Sequence, residues 1–394
     1  MNLIYLDNAA TTPLSEKALS DMTPYFMTEF GNASSLHQKG RIAKKVVDLA
    51  RDTIAHSIGA RSNEIYFTSG GTESDNWAIR GAIKASKNKV KHIVTSAIEH
   101  PAVLNTCQDL EREGVLVTYV YPDKNGVISL ESIKKAVNAN TVLISIMFAN
   151  NEIGTIQPIS EIGSFCRAEG IVFHTDAVQA MGTMEIDVDK MNIDLLSMSA
   201  HKFNGPKGIG VLYIRTGVKI DRFMTGGEQE RGKRAGTLAT PLIVGMASAL
   251  KETLENREVN NEKMIRLRDD FINGVQKNIP YVHLNGDRAK RLANNINFSF
   301  EFIEGESLLM RLDLDGIAVS SGSACASGSL QASHVIKAIG VSDELAHSTI
   351  RFSLGKDTTQ EQMNHTLEVL IKNVKVLREM SPLYDSKKKE GKYV

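Results

Sequence analysis

The chain has little cysteine and no long apolar run. Its three cysteines, Cys107, Cys166 and Cys325, are too few and too far apart for a disulfide framework or a zinc site, which indicates a reducing compartment. No apolar run approaches the roughly 18 residues that a transmembrane helix needs. Residues 1–7 lack the basic and apolar regions of a signal peptide. We therefore expect a cytoplasmic protein with no membrane partner and no bound metal.

An excess of charge of one sign is absent as well, because 46 lysines and arginines balance 46 aspartates and glutamates. Without a basic field or a nucleic-acid motif, the chain is not expected to bind DNA or RNA. The apolar content of 42% is ordinary for a globular protein, and 394 residues suffice for a large core without disulfides.

Short apolar runs alternate with helix-period segments through the first two-thirds of the chain. The predicted strands are residues 64–68, 91–96, 115–120, 141–148, 171–175, 194–199 and 210–215. This alternation predicts an α/β large domain, over residues 15–255, with a mostly parallel seven-stranded sheet. Residues 1–14 and 256–394 are predicted to form a smaller α+β domain. Ligands bind at the carboxyl ends of the strands in such sheets.

One lysine stands where a predicted strand runs into tight turns. Lys202 follows the apolar-rich run 194–198 and precedes the glycine-flanked residues 205–208. This position is poor for ordinary surface solvation and good for an imine with an aldehyde cofactor. The position of Lys202 therefore suggests pyridoxal phosphate as the cofactor. The cofactor would supply the chemistry, and the protein would position it.

Two further segments fit the same cofactor. The glycine-rich turn 69–74 follows a predicted strand and opens a helix, which suits a phosphate, although such a turn is often only a turn. Asp176 follows the strand 171–175 and can hydrogen-bond a ring nitrogen, while Gln179 can reach the ring hydroxyl. The alternative for Asp176 is a helix N-cap.

Histidines complete the pattern. His100 can stack on an aromatic ring and move protons, or it is a structural histidine. Ser199 and His201 can reach the phosphate while Lys202 takes the aldehyde. The joint pattern favours pyridoxal phosphate more strongly than any one segment does.

The chain resembles the cysteine desulfurases of the NifS/IscS type, which are fold-type I enzymes in the class V aminotransferase-like superfamily. The likeness covers essentially the whole chain, and its motifs occur in family order. These motifs lie at residues 5–12, 31–37, 69–76, 99–100, 150–154, 176–179, 199–210, 234–237 and 320–327.

The resemblance implies a role for each matching residue. Lys202 is the Schiff-base lysine, Asp176 pairs with the pyridine nitrogen, and His100 stacks on the ring and acts in catalysis. The substrate carboxylate is bound by Arg351 with Asn32, although Arg351 can also be read as a surface ion pair. The remaining cofactor contacts implied are Gly71, Thr72, Ser199 and His201 at the phosphate, Gln179 and Asn151 at the ring oxygen or substrate, and Thr237 at the phosphate of the other subunit of a homodimer.

The segment around Cys325 is small, polar and glycine-bearing, so little apolar area is available to pin it to a core. We predict a mobile loop, over about residues 320–331, whose thiol collects sulfur; the alternative is a buried structural cysteine. The loop resembles that of the family members that hand sulfur to scaffold proteins. Cys107 and Cys166 lie in helical apolar patterns and are predicted to be buried and structural.

The expected reaction converts L-cysteine to L-alanine and leaves the sulfur on Cys325 as a persulfide. Acceptors for iron–sulfur cluster assembly, or for other sulfur-containing products, would then take it. Rival interpretations are a selenocysteine lyase, an aminotransferase-like enzyme and a non-catalytic iron–sulfur assembly scaffold subunit. A nicotinamide-dependent dehydrogenase is disfavoured, because residues 69–74 lack the Gly-x-Gly-x-x-Gly spacing.

Overall fold

A computed structural model of the chain describes residues 3–321 and 332–384. Its largest sheet has seven strands, in the spatial order β2-β8-β7-β6-β5-β3-β4. Neighbouring strands are parallel except where β8 pairs with β7 and β2, which confirms the predicted mostly parallel sheet. The strands are β2 (Ile65–Thr68), β3 (His92–Ser96), β4 (Leu116–Val120), β5 (Thr141–Ser145), β6 (Val172–Asp176), β7 (Leu195–Ser199) and β8 (Gly210–Ile214).

Helices cover both faces of this sheet. Consecutive strand residues therefore enter different cores: Leu195 packs with Trp77 on one face, whereas Leu196 packs with Ile54 on the other. Burial on both faces explains why the strands are almost continuously apolar. The helices of this part are α1 (Glu16–Met27), α2 (Gln38–Ser57), α3 (Gly71–Ala85), α4 (Pro101–Arg112), α5 (Leu130–Ala136), α6 (Ile159–Glu169) and α7 (Thr240–Glu255).

A second core forms around smaller sheets. An antiparallel sheet has the order β12-β13-β10-β9, and β1 pairs in parallel with β11. Phe271 and Phe352 meet in this core with ring centroids 5.2 Å apart. The elements are β1 (Ile4–Tyr5), α8 (Arg257–Asn278), β9 (Val282–Leu284), β10 (Asn295–Phe300), α9 (Gly305–Leu314), β11 (Ile317–Ala318), β12 (Ser320–Ser321), β13 (Thr349–Ser353) and α12 (Gln360–Glu379).

Two short helices late in the chain contribute apolar side chains to the core around the large sheet. They are α10 (His334–Ala338) and α11 (Asp343–Ala346). Val335 and Ile336 are buried in the same apolar cluster as Met147. The chain thus returns from the second core to the first between β12 and β13, while the domain boundaries stay a prediction.

The carboxyl ends of β2, β3, β5, β6 and β7 meet at one edge of the large sheet. Backbones approach so closely here that a Cβ added to Gly210 would lie 2.6 Å from the Cα of Gly70. The turns after these strands hold the predicted cofactor residues. Within the described ranges, no helix has both the length and the apolar character needed to cross a membrane.

Candidate active site

A cavity of about 360 Å³ opens at this edge of the sheet. It brings together the predicted residues Gly71, Thr72, His100, Asn151, Asp176, Gln179, Ser199, His201, Lys202 and Arg351. A second cavity, of about 430 Å³, lies between the two cores and shares Lys202 with the first. None of the other predicted site residues lines the second cavity, so we place the candidate site in the first.

Lys202 ends a 3₁₀ turn that directly follows β7. Its Nζ donates to the carbonyl oxygens of Ala9 and Ala10, at 2.6 and 2.8 Å. Gln179 Nε2 donates to the same Ala9 carbonyl at 2.9 Å. The N-terminal segment therefore closes the cavity over the amine.

Asp176 and His100 place a carboxyl and an imidazole around the cavity. Asp176 is the last residue of β6 and is buried, and its Oδ1 accepts from the Val178 amide at 2.9 Å. Burial raises the pKa of Asp176, whereas the charges of His100 and Lys202 oppose this rise. Burial lowers the pKa of His100, whose Nδ1 caps α4 by accepting from the Ala102 amide at 3.1 Å. The element that follows Asp176 is β7 and not a helix, so the helix N-cap alternative is wrong. Because Nδ1 of His100 accepts a hydrogen bond, the neutral ring carries its proton on Nε2.

The start of α3 is suited to an anion. Gly70 precedes the helix without a side-chain cap, so the first helical amides point toward the cavity that Thr72 and Ser199 also line. A Cβ on Gly71 would lie 2.7 Å from Val178 Cγ2, so a larger residue would crowd this wall. Burial, with the charges of Lys202 and Lys207, lowers the pKa of His201 to about 4, and a neutral His201 can donate one ring N–H.

Arg351 lies at the centre of β13 with its side chain only 2% exposed. Its guanidinium donates to Asp7 Oδ1 at 2.8 Å and to the Asn151 carbonyl at 3.0 Å. Among the described residues its buried Nε has no hydrogen-bond partner. The surface ion-pair alternative is wrong, because this arginine is buried and keeps one donor for a further acceptor.

Three predicted residues are not among those that line the cavity. Asn32 is exposed, with its Oδ1 accepting from the Ser34 amide at 2.9 Å, and Thr237 is exposed as well. Cys325 lies outside the described residues. The roles of these three residues stay predictions.

Asp75 lines the cavity although the sequence analysis does not identify it. It is buried one helical turn after Gly71, and its Oδ1 lies 3.6 Å from His174 Nε2. Burial, and then the charge of Asp176, raises the pKa of Asp75 well above its usual value. Its four-residue spacing from Gly71 on α3 is the one sequence signal that could have identified it.

Comparison with known proteins identifies the family. The model of the family "Aminotransferase class-V" matches residues 4–365. The cysteine desulfurase IscS of Clostridium botulinum (strain Hall) is 53% identical over 393 residues, which are 99% of each chain. The chain belongs to the IscS-type cysteine desulfurases of the class V aminotransferase family.

Solved structures agree with this assignment. A NifS-like protein superposes with a TM-score of 0.90 at 36% identity, covering 95% of this chain and 100% of its own. SspA in complex with cysteine superposes with a TM-score of 0.81 at 38% identity, covering 90% of this chain and 100% of its own. The predicted family and fold are confirmed.

The other two cysteines of this desulfurase chain behave as predicted. Cys107 and Cys166 are buried free thiols. Burial raises the pKa of each thiol to about 12, so neither forms a thiolate readily at neutral pH. The predicted burial of both cysteines is confirmed, and their structural role stays a prediction.

Proposed function

We propose that this protein uses pyridoxal phosphate to convert L-cysteine to L-alanine, and that it collects the sulfur on Cys325. One observation carries the proposal: Lys202, Asp176 and Arg351 line a single cavity. They supply an amine, a buried carboxyl and a guanidinium with an unused donor. The structure of SspA with cysteine supports the choice of substrate.

The residues present fit pyridoxal phosphate. The uncapped start of α3, with Thr72, Ser199 and His201, would hold the phosphate, and Asp176 would accept a hydrogen bond from the ring nitrogen. His100 would stack on the ring, with Gln179 and Asn151 near its oxygen. Lys202 Nζ is the amine that would bond to the aldehyde carbon. When bound, the cofactor supplies an electron sink for the α-carbon of the substrate.

Arg351 would bind the carboxylate of cysteine. Its Nε is the unused donor, and its other nitrogens are held by Asp7 and the Asn151 carbonyl. A guanidinium fixed in this way cannot rotate, so it orients the substrate as well as neutralising its charge. Asn32 is proposed to assist from outside the described cavity wall.

Two residues are proposed to transfer protons. Lys202 Nζ would take the proton from the substrate α-carbon, since it already lies within the cavity. His100, whose neutral form is favoured by burial and carries its proton on Nε2, would act as the proton-transfer partner in the sulfur step.

The sulfur step follows from the thiolate of Cys325. An S–S bond forms to the substrate sulfur as the substrate C–S bond breaks, and the electron pair stays on carbon, which takes up a proton. Cysteine and the Cys325 thiol thus become alanine and a persulfide, with no external oxidant. The described residues before and after the Cys325 segment support this role of the thiol. Ser320, before it, is paired with Arg351, and Ser333, after it, is hydrogen-bonded to Glu152, the neighbour of Asn151.

A homodimer is the proposed functional unit, because Thr237 is exposed and would serve the phosphate of the partner subunit. A group of exposed apolar side chains supports this proposal. It consists of Leu19, Phe26, Met27, Phe30 and Leu36, on α1 and the segment that follows it, and we call it the α1 patch. Exposed apolar side chains that occur together in one short segment are typical of protein interfaces.

A cytoplasmic location and an acceptor protein for the persulfide sulfur complete the proposal. The name IscS carried by the relative supports a role in supplying iron–sulfur cluster assembly. Selenocysteine lyase is the alternative activity, and relative turnover of cysteine and selenocysteine separates the two.

Two substitutions test the function. In Lys202→Ala we expect no measurable alanine formation from cysteine, whereas Lys207→Ala, which changes an exposed lysine nearby, should retain it. In Cys325→Ala we expect cofactor and cysteine to bind without sulfide release, whereas Cys166→Ala should release sulfide normally.

Sulfide release that is undiminished in Cys325→Ala would contradict the role of that thiol. A purified protein that binds no pyridoxal phosphate would contradict the whole proposal and favour a scaffold subunit.

A further inference from the structure

Glu152 is a buried carboxyl beside the candidate site, and the proposed reaction gives it no role. It is 4% exposed and directly follows Asn151. Its amide donates to Asn150 Oδ1 at 2.9 Å, and its carbonyl accepts from the side-chain amides of Asn295 and Asn297, at 3.2 and 3.1 Å. The backbone is held by both cores, so the direction of its side chain is fixed.

The Glu152 carboxylate has a specific partner. Ser333 Oγ donates to Glu152 Oε2 at 2.5 Å. The same oxygen of Ser333 accepts from the amides of Val335 and Ile336, at 3.1 and 3.3 Å, and so caps α10. Ser333 therefore joins the start of α10 to the turn that carries Asn151.

The next residue makes a second link. His334 Nε2 hydrogen-bonds with the carbonyl of Glu99 at 3.0 Å, and Glu99 immediately precedes His100. Residues 333 and 334 are thus attached to the two turns that carry Asn151 and His100. The apolar side of α10 is buried in the core beneath them.

The described residues on both sides of the Cys325 segment lie next to parts of the chain that line the cavity. On its N-terminal side Ser320 is paired with Arg351. On its C-terminal side the chain reaches Ser333 two residues after position 331. Because an end that is held close to the site raises the frequency of productive approach, each attachment affects the reaction between the thiol and the substrate.

We propose that Glu152 and Ser333 are positioning residues for sulfur transfer, which hold the chain after the Cys325 segment against the turn that carries Asn151. Neither residue touches the substrate in this role. Loss of the pair slows transfer of sulfur to Cys325 and leaves cysteine binding to Arg351 in place. The inference rests on the proposed function.

The test compares Ser333→Ala, Glu152→Ala and Glu152→Gln in the full-length holoenzyme. Persulfide on Cys325 is followed in a single turnover by intact-protein mass, and the KM for cysteine is measured separately. In the two alanine variants we expect the single-turnover rate to fall about tenfold, as for the loss of one buried hydrogen bond, with KM changed less than about twofold.

Two comparisons separate positioning from loss of structure. Glu152→Gln keeps an oxygen that accepts from the Ser333 hydroxyl, so its rate should stay within about threefold of the parent rate. Ser342→Ala removes the matching N-cap serine of α11, which accepts from the Leu345 amide at 3.4 Å and has no contact with Glu152. This control should transfer sulfur at the parent rate.

The inference is overturned if Ser333→Ala and Glu152→Ala transfer sulfur as fast as Ser342→Ala does. A parallel rise in KM would also overturn it, since the pair would then act in cysteine binding. Failure of the proposed function differs from both results, because the parent protein itself would then form no persulfide.

Discussion

Arg351 occupies the centre of β13, where its guanidinium has two partners and its Nε has none among the described residues. A buried cation costs free energy unless it is paired, and Asp7 supplies the counter-charge. In the proposed function, the remaining Nε donates to the substrate carboxylate. The same side chain would then form an ion pair and bind the substrate.

Replacing Arg351 by lysine should raise the KM for cysteine. An ammonium cannot reach Asp7, the Asn151 carbonyl and a carboxylate at once, so we expect a rise of about 10- to 100-fold from the loss of one or more charge-assisted hydrogen bonds. Steady-state kinetics with cysteine measure this effect. Arg311→Lys, on α9, is the control, and an unchanged KM in Arg351→Lys would contradict the assignment.

The site residues could be predicted where a reactive side chain lies at or just after the end of a strand. Lys202 and Asp176 stand at strand ends, and a parallel sheet brings such ends together whatever the details of packing. Asp7 and Asp75 could not be predicted in this way. Asp7 meets Arg351 across 344 positions of sequence, and Asp75 resembles an ordinary polar residue of a helix.

At the scale of elements, a clamp joins α2, β2 and the loop that precedes Thr237. Arg51 pairs with Glu230 at 2.6 Å, and Glu230 Oε2 also accepts from the Phe67 amide at 2.8 Å. Glu230 and Arg231 have φ angles of 47° and 58°, a conformation that non-glycine residues adopt only when their surroundings impose it. The clamp therefore sets the course of the loop toward Thr237.

Glu230→Gln should destabilise the protein by roughly 3 kcal/mol, because it leaves the buried Arg51 without a counter-charge. A lower thermal midpoint of the holoenzyme would show this. Glu228→Gln changes an exposed neighbour and should have almost no effect. Equal midpoints for the two variants would contradict the clamp.

Glu64 links the start of β2 to the end of β8. Burial alone would raise its pKa, but hydrogen bonds from Arg61 and Thr216 outweigh burial and lower the pKa to about 2. The folded-state pKa lies below the unfolded value, so the stabilisation is complete above the unfolded pKa and is lost as pH falls toward the folded one.

The stability advantage of the parent over Glu64→Gln should therefore shrink on acidification. Between about pH 5 and pH 3 we expect a decrease of roughly 1 to 2 kcal/mol, measured by urea denaturation at each pH. Glu131→Gln, at an exposed position, serves as the reference. A difference that stays constant over this range would contradict the lowered pKa.

Helices and strands with a clear hydrophobic pattern could be predicted from the sequence. Element boundaries and helices that depend on tertiary packing could not. Residues 194–199 were predicted as a strand and form β7 (Leu195–Ser199), since a continuous apolar run suits a sheet covered on both faces. The predicted strand 141–148 ends at Ser145 in the structure, although the amides of Ile146 and Phe148 still donate to the carbonyls of His174 and Asp176 on β6, at 3.1 and 2.8 Å. Helix α1 contains Pro24, which argues against a helix until its packing on α7 is known.

At the scale of the whole molecule, the α1 patch is the surface that we propose as the subunit interface. Phe30 is 70% exposed and Leu36 is 91% exposed. Burying such side chains in a subunit interface removes apolar area from water, which favours association. Thr237, also exposed, would then reach the site of the partner subunit.

The double variant Phe30→Asp/Leu36→Asp should shift the protein from dimer to monomer and weaken its hold on the cofactor. Analytical ultracentrifugation and a cofactor titration measure the two effects. Leu314→Asp, which changes a side chain that is 86% exposed on α9 and outside the α1 patch, is the matched control. A parent protein that is monomeric at all concentrations would contradict the homodimer.

The N-terminal segment over Lys202 has a consequence for synthesis of the protein. Ala9 leaves the ribosome early, but its partner Lys202 is synthesised 193 positions later. Arg351, the partner of Asp7, is synthesised later still. Contacts of such long range form late in folding. A nascent chain released before β13 would therefore carry most of the large sheet and still lack a finished catalytic pocket, so truncated translation products should be inert.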